Sequence, residues 1–137
     1  MSEQPTKQVI VMRTKYPDGH GGVTGVRKGK LCAQAAHAAM AVFFDRSEVT
    51  GLTMECRLTT AMAEWATGKF AKIVVSVDTE EELLDIYHQS QENNIPCSLI
   101  KDAGRTEFGG EPTYTAVAVG PSYSDHVDEI TGDLPLL

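Results

Sequence analysis

At 137 residues and 42% hydrophobic content, the chain has the size and composition of one globular domain with a core of its own. Its formal net charge of −7 argues against bulk coating of nucleic acid, and no apolar run approaches the length of a membrane-spanning helix. The three cysteines, Cys32, Cys56 and Cys97, are odd in number and scattered, with neither metal-ligand spacing nor a disulfide framework, which fits a reducing cytoplasm. Charge is uneven. Residues 1–30 carry Lys7, Arg13, Lys15, Arg27, Lys28 and Lys30 against Glu3 and Asp18, whereas acids gather around Glu80–Asp85 and near the C-terminus.

In chain order, residues 1–6 read as a short polar tail without an apolar signal region, followed by one domain over 7–137. Gln8–Met12 is a continuous apolar, β-branched run, the pattern of a buried strand. Tyr16–Gly25 is rich in Gly and Pro and reads as a loop. A helix is predicted from Arg27 or Lys28 to about Asp45. Arg46–Arg57 is ambiguous, with a break at Thr50-Gly51, and Thr59–Thr67 reads as a second helix stopped by Gly68, with Met62, Trp65 and Ala66 on its packing face. Lys72–Val77 is a second buried strand. Thr79 and Glu82 have capping-box spacing for a helix to about Asn93, with Leu83, Ile86, Tyr87 and Ser90 inward. Cys97–Lys101 and Thr115–Val119 read as third and fourth strands, a long-looped hairpin, the fourth closed by Gly120-Pro121. Ser122–Thr131 is a last helix with Gly132 as its stop.

The predicted order is β-α-α-β-α-β-β-α. The first three strands alternate with helices, which predicts that they run parallel, while the fourth follows the third too closely for a crossover. The expected fold is a single α/β domain: a mixed four-stranded sheet, three parallel strands plus one antiparallel, with helices on both faces.

Within the first helix, Lys30, Gln34 and His37 fall at i, i+4 and i+7 and share one stripe, beside a core stripe of Leu31, Ala35, Ala38 and Val42. Lysines at a helix N-terminus oppose the dipole, so Lys28 and Lys30 there read either as an anion site or as a solvated basic turn. Open α/β sheets bind ligands beyond the carboxyl ends of their strands, where Asp102 also falls. The topology predicts that Lys28, Lys30, Asp102 and Thr106 meet at one edge. A carboxylate beside a lysine stays ionised and can orient or deprotonate water, while the lysine holds a developing oxyanion. A plain ion pair of Asp102 with Lys30, or with Arg105, is the alternative.

Several segments together resemble the type-2 peptidyl-tRNA hydrolases. QVIVMRT resembles the opening strand of that family, KGKLCAQAAHAA its helix signature, IKDAGRTEF its D-A-G-[RK]-T element, TAVAVGP the strand that follows and ITGDLPLL its C-terminus. The likeness runs from about Lys7 to the last residue and is weakest over 46–68. It implies hydrolysis of the ester between a peptide and the tRNA 3′ end, without metal or organic cofactor, by a cytoplasmic enzyme that is commonly a homodimer and has no membrane attachment. Matched residue by residue, it implies catalytic roles for Lys30, Asp102, Thr106 and Thr115. It implies substrate contacts for Arg13, Lys28, Gln34, His37 and Arg105. The Gly-rich segment between Arg13 and Lys28 is longer than the family's usual connection, and the FGGEPTY segment also departs from its pattern. Competing readings are a non-catalytic tRNA-end or regulatory module on the same fold, and hydrolysis of another acyl ester or amide.

Overall fold

The computed structural model describes residues 4–102 and 112–137. Its elements are β1 (Thr6–Arg13), β2 (Tyr16–Pro17), β3 (Val23–Thr24), α1 (Lys28–Phe44), β4 (Ser47–Thr50), β5 (Thr53–Cys56), α2 (Thr60–Thr67), β6 (Lys72–Val77), α3 (Glu80–Glu92), β7 (Cys97–Asp102), β8 (Thr113–Tyr123) and α4 (Ser124–Thr131). Among the described residues no helix is long and apolar enough to cross a membrane.

β6, β1, β8 and β7 form the central sheet in that order. β1 pairs parallel with β6, β1 antiparallel with β8, and β7 antiparallel with β8. Three strands therefore run one way and one the other, as expected, and the predicted hairpin of the third and fourth strands forms. What differs is the order: β8 inserts between β1 and β7, so the three co-directional strands contribute a single parallel pair.

Both sheet faces are covered. On β1, Val9 and Val11 join Val75, Val77, Leu83, Ile86, Val117 and Val127 in a core beneath α3 and α4. Ile10 and Met12 point the other way, to Ala38, Val42, Met62, Ala116 and Ala118 beneath α1 and α2. A strand buried on both faces must be apolar throughout, which is why β1, β6 and β8 read as continuous runs. Thr59 and Thr79 cap α2 and α3 by accepting from the N–H groups of Met62 and Glu82.

Four boundaries differ from the predicted ones. β1 begins at Thr6. The ambiguous stretch 46–57 is a hairpin, β4 against β5, turning at Gly51 with φ +62°. β8 does not stop at Gly120-Pro121 but runs on to Tyr123, which moves the last helix to Ser124. Gly120 is required there: its φ is +91°, and a Cβ would sit 2.8 Å from the carbonyl oxygen of Lys7. Finally, the loop after β1 carries a short ladder, Tyr16 with Thr24 and Pro17 with Val23. On α2, Ala61 rather than Ala66 is buried with Met62 and Trp65.

The two outer strands are treated differently. β6 is flanked by the C-terminal tail, with Val75 bridged to Leu136, Ser76 N–H donating to Pro135 O at 3.0 Å and Leu137 N–H to Val74 O at 3.1 Å. β7 is flanked by β8 on one side, with α1 and α3 on its faces.

Candidate active site

α1 starts directly over the carboxyl ends of β1 and β7. Arg27 is its N-cap position, no side chain caps it, and its first turn holds no acid. Lys30 lies in that first turn. Its Nζ donates to Asp102 Oδ1 at 2.8 Å, and the two side chains are only 14% exposed, shielded but reachable. One turn further, Gln34 Nε2 donates to the same Oδ1 at 3.4 Å. Thr115, on β8, donates its hydroxyl to Gln34 Oε1 at 2.6 Å.

The direction of these bonds is set by chemistry. An ionised carboxylate only accepts, so the Gln34 amide must turn its NH₂ to Asp102 and its oxygen to Thr115. The Thr115 proton is thereby committed to Gln34. Thr115 is 1% and Gln34 4% exposed. Both are buried supports, and the sequence pattern, which put Gln34 on the stripe beside the core, did not show its burial.

Arg13 ends β1 at the floor of this site and is 7% exposed. Its Nε donates to Lys15 O at 3.1 Å and its Nη1 to Tyr114 O at 3.5 Å, with Glu80 at 3.8 Å. The guanidinium lies 4.4 Å from the centre of the Tyr16 ring. Arg13, for which the resemblance implies a substrate contact, is thus largely engaged within the protein through Nε and Nη1. Tyr16, read as a loop residue from sequence, is buried and donates its hydroxyl to Arg13 O at 3.2 Å. Burial pushes its phenol up to about 12; Arg13 opposes the shift and the negative charge of Asp102 adds to it. An aromatic residue opening a Gly-rich loop immediately after a buried strand was the only sequence signal for it.

Lys28 and His37 are exposed. His37 lines a cleft of about 340 Å³ with Gln34, Ala41, Leu99, Ile100, Lys101 and Asp102. Two larger clefts lie elsewhere, about 570 Å³ beside Arg46 and Arg57 and about 700 Å³ between Lys7 and Lys69, and neither contains a comparable set of groups. Of the residues picked out from sequence, Lys30, Gln34, Asp102 and Thr115 are brought together, with Arg13 beneath them. Thr106 and Arg105 lie outside the described residues. Among the described residues no group of three or more His, Cys, Asp or Glu side chains is placed to hold a metal. Cys32, Cys56 and Cys97 are free thiols. Burial pushes the Cys97 thiol up to about 11.

Comparison with known proteins adds an independent line. The family model described as peptidyl-tRNA hydrolase PTH2 matches residues 6–137. A protein of Methanocaldococcus jannaschii named peptidyl-tRNA hydrolase is 39% identical over 132 residues, covering 96% of this chain and 99% of its own. Proteins of the same name from Sulfurisphaera tokodaii and Staphylothermus marinus are 39% and 38% identical, each covering 96% of this chain and 98% and 94% of their own.

Proposed function

This chain belongs to the peptidyl-tRNA hydrolase PTH2 family, and on that premise we propose that Lys30 and Asp102 carry out its hydrolysis of the ester joining a peptide to the 3′ end of tRNA. The observation that carries this reading is the 2.8 Å pair of Lys30 Nζ and Asp102 Oδ1 at the carboxyl end of β7, largely buried and braced by Gln34.

In this mechanism Asp102 orients a water and accepts its proton as the water oxygen attacks the ester carbonyl. Lys30, an ammonium with three donors, holds Asp102 and meets the oxyanion of the tetrahedral intermediate. Collapse breaks the bond to the ribose oxygen, which leaves with the proton that Asp102 had accepted, and peptide and tRNA separate. Gln34 and Thr115 keep the Asp102 carboxylate from rotating away. Thr106, four positions after Asp102, is assigned to fixing the substrate, and Lys28, His37 and Arg105 to contacts with the tRNA end. Arg13 supports the site from beneath.

The chemistry needs no metal or organic cofactor. Scattered free cysteines support a cytoplasmic location. A homodimer is supported by apolar side chains exposed along α1 and the neighbouring hairpin, Met40, Phe44, Val49 and Met54. A purely monomeric sedimentation profile at assay concentration would remove it.

The decisive test is incubation with N-blocked aminoacyl-tRNA, with and without chelator, beside Asp102→Ala. The expected outcome is release of tRNA that chelator leaves intact and the substitution abolishes. Tight binding of tRNA without release would overturn the reading in favour of a binding module.

A further inference from the structure

The substrate of this site has two ends, a tRNA and a peptide whose sequence varies without limit. The exposed Arg27 and Lys28 lie on the N-terminal side of Lys30 along α1. The 340 Å³ cleft lies on the other side, between α1 from Gln34 to Ala41 and β7 from Leu99 to Asp102. Cations suit phosphates. The cleft combines the apolar Ala41, Leu99 and Ile100 with Gln34, His37, Lys101 and Asp102, and it runs beside an outer strand.

That strand has an uncommon status within the sheet. The opposite outer strand, β6, is covered by the chain's own tail through Pro135 and Leu137. Along β7 from Cys97 to Lys101, no backbone hydrogen bond leads to any segment except β8 among the described residues. A strand edge of this kind is a template for a further extended chain.

Resting on the reading of the site given above, we propose that the edge of β7 is the peptide subsite, where the peptidyl part of the substrate adds as a fifth strand. Polarity follows from connectivity. The peptide's carboxyl end is the ester and must lie at Asp102, so the chain runs back toward Cys97 and pairs parallel to β7. Leu99–Asp102 spans roughly 10 Å, the length of about three extended residues. Pairing through main-chain N–H and C=O groups is indifferent to side chains, as an enzyme for arbitrary peptides requires. It also separates a peptidyl-tRNA from an aminoacyl-tRNA, which has no second residue to pair.

The test compares tRNAs carrying N-acetylated chains of one, two, three and five residues. A three-residue chain with N-methylated internal amides completes the series, each substrate assayed with wild type and with Ala41→Phe, which fills the cleft. The expected result is a KM that falls roughly three- to tenfold per residue up to about three and then levels. It should be insensitive to side chain and rise by a similar factor on N-methylation, and Ala41→Phe should flatten the length dependence. Equal KM for all lengths in wild type would overturn the strand-addition proposal while leaving the hydrolase intact. So would an Ala41→Phe effect equal at every length, which would assign the cleft to the terminal nucleotide. No release from any substrate would overturn the hydrolase reading and this subsite together.

Discussion

Lys30 and Asp102 are 72 positions apart in sequence and 2.8 Å apart in space. The proposed mechanism makes them one unit: removing either would leave the other charge largely buried without its partner. Single substitutions Lys30→Ala and Asp102→Ala should each lower kcat by about 10²–10⁴, and the double substitution should cost little more than the worse of the two. Losses that multiply would show two independent roles. Tyr16 gives a prediction of another kind. Its phenol is raised to about 12, so the neutral form is the one the fold favours. The associated stabilisation is present below the unfolded value near 10 and is lost as pH climbs toward 12. Wild type should therefore lose about 2–3 kcal/mol more than Tyr16→Phe over that interval in urea titrations. Parallel curves would refute the assignment. These residues differ in how well sequence reveals them. Lys30 and Asp102 stand at the ends of strongly patterned elements, so their meeting followed from topology. Gln34 is bound by a partner distant in sequence, Thr115, and Tyr16 folds back on Arg13 three positions before it, and no local pattern distinguishes either from solvated residues.

Elements with a buried face were legible nearly to the residue, since apolar period and cap chemistry coincide: β6 spans Lys72–Val77 as predicted, and α1 lies between Arg27 and Asp45. The hairpin of β4 and β5 was not. Its strands, SEVT and TMEC, are short, polar and almost wholly exposed, so they carry no core alternation to detect. β8 was cut short at Gly120-Pro121 because proline rarely sits inside a sheet. Here it falls where the β1–β8 register shifts, between Lys7 and Val9, and Gly120 supplies the positive φ. Gly120→Ala combines an unfavourable backbone with a collision against Lys7 O. It should destabilise the protein by about 2–4 kcal/mol in equilibrium denaturation. A loss below about 0.5 kcal/mol would mean that the two strands can part there at little cost.

At the scale of the molecule, charge is sorted across the sheet. α3 and α4 contain no lysine or arginine and present Glu80, Glu81, Glu82, Asp85, Asp125 and Asp128, while α1 contains Lys28 and Lys30 and no acid. A polyanion is accordingly repelled by the side that bears α3 and α4. With a net charge of −7 and cations such as Arg27 and Lys28 near the site, kcat/KM for peptidyl-tRNA should fall roughly ten- to a hundredfold between 50 and 200 mM salt. A flat profile would place recognition in bases and peptide alone. The direction of the strands was legible from the alternation of strands and helices, but their order was not. That alternation says which way a strand points, not where a later strand inserts. β8 is the longest strand and is buried on both faces through most of its length, but the predicted segment, Thr115–Val119, was no longer than its neighbours and nothing local marked it as an inner strand.

The position of β8 bears on how the molecule is made. Of the four strands of the central sheet, β8, one of the two inner ones, is the last to be synthesised. Until Thr113–Tyr123 has emerged, β7 has nothing to pair with and Thr115 is not there to brace Gln34. A nascent chain arrested after residue 102 already contains Lys30 and Asp102 but lacks the strand that joins β7 to β1. The pairing that joins the two halves of the sheet, and the bond that braces Gln34, thus arrive together, in one late step of translation.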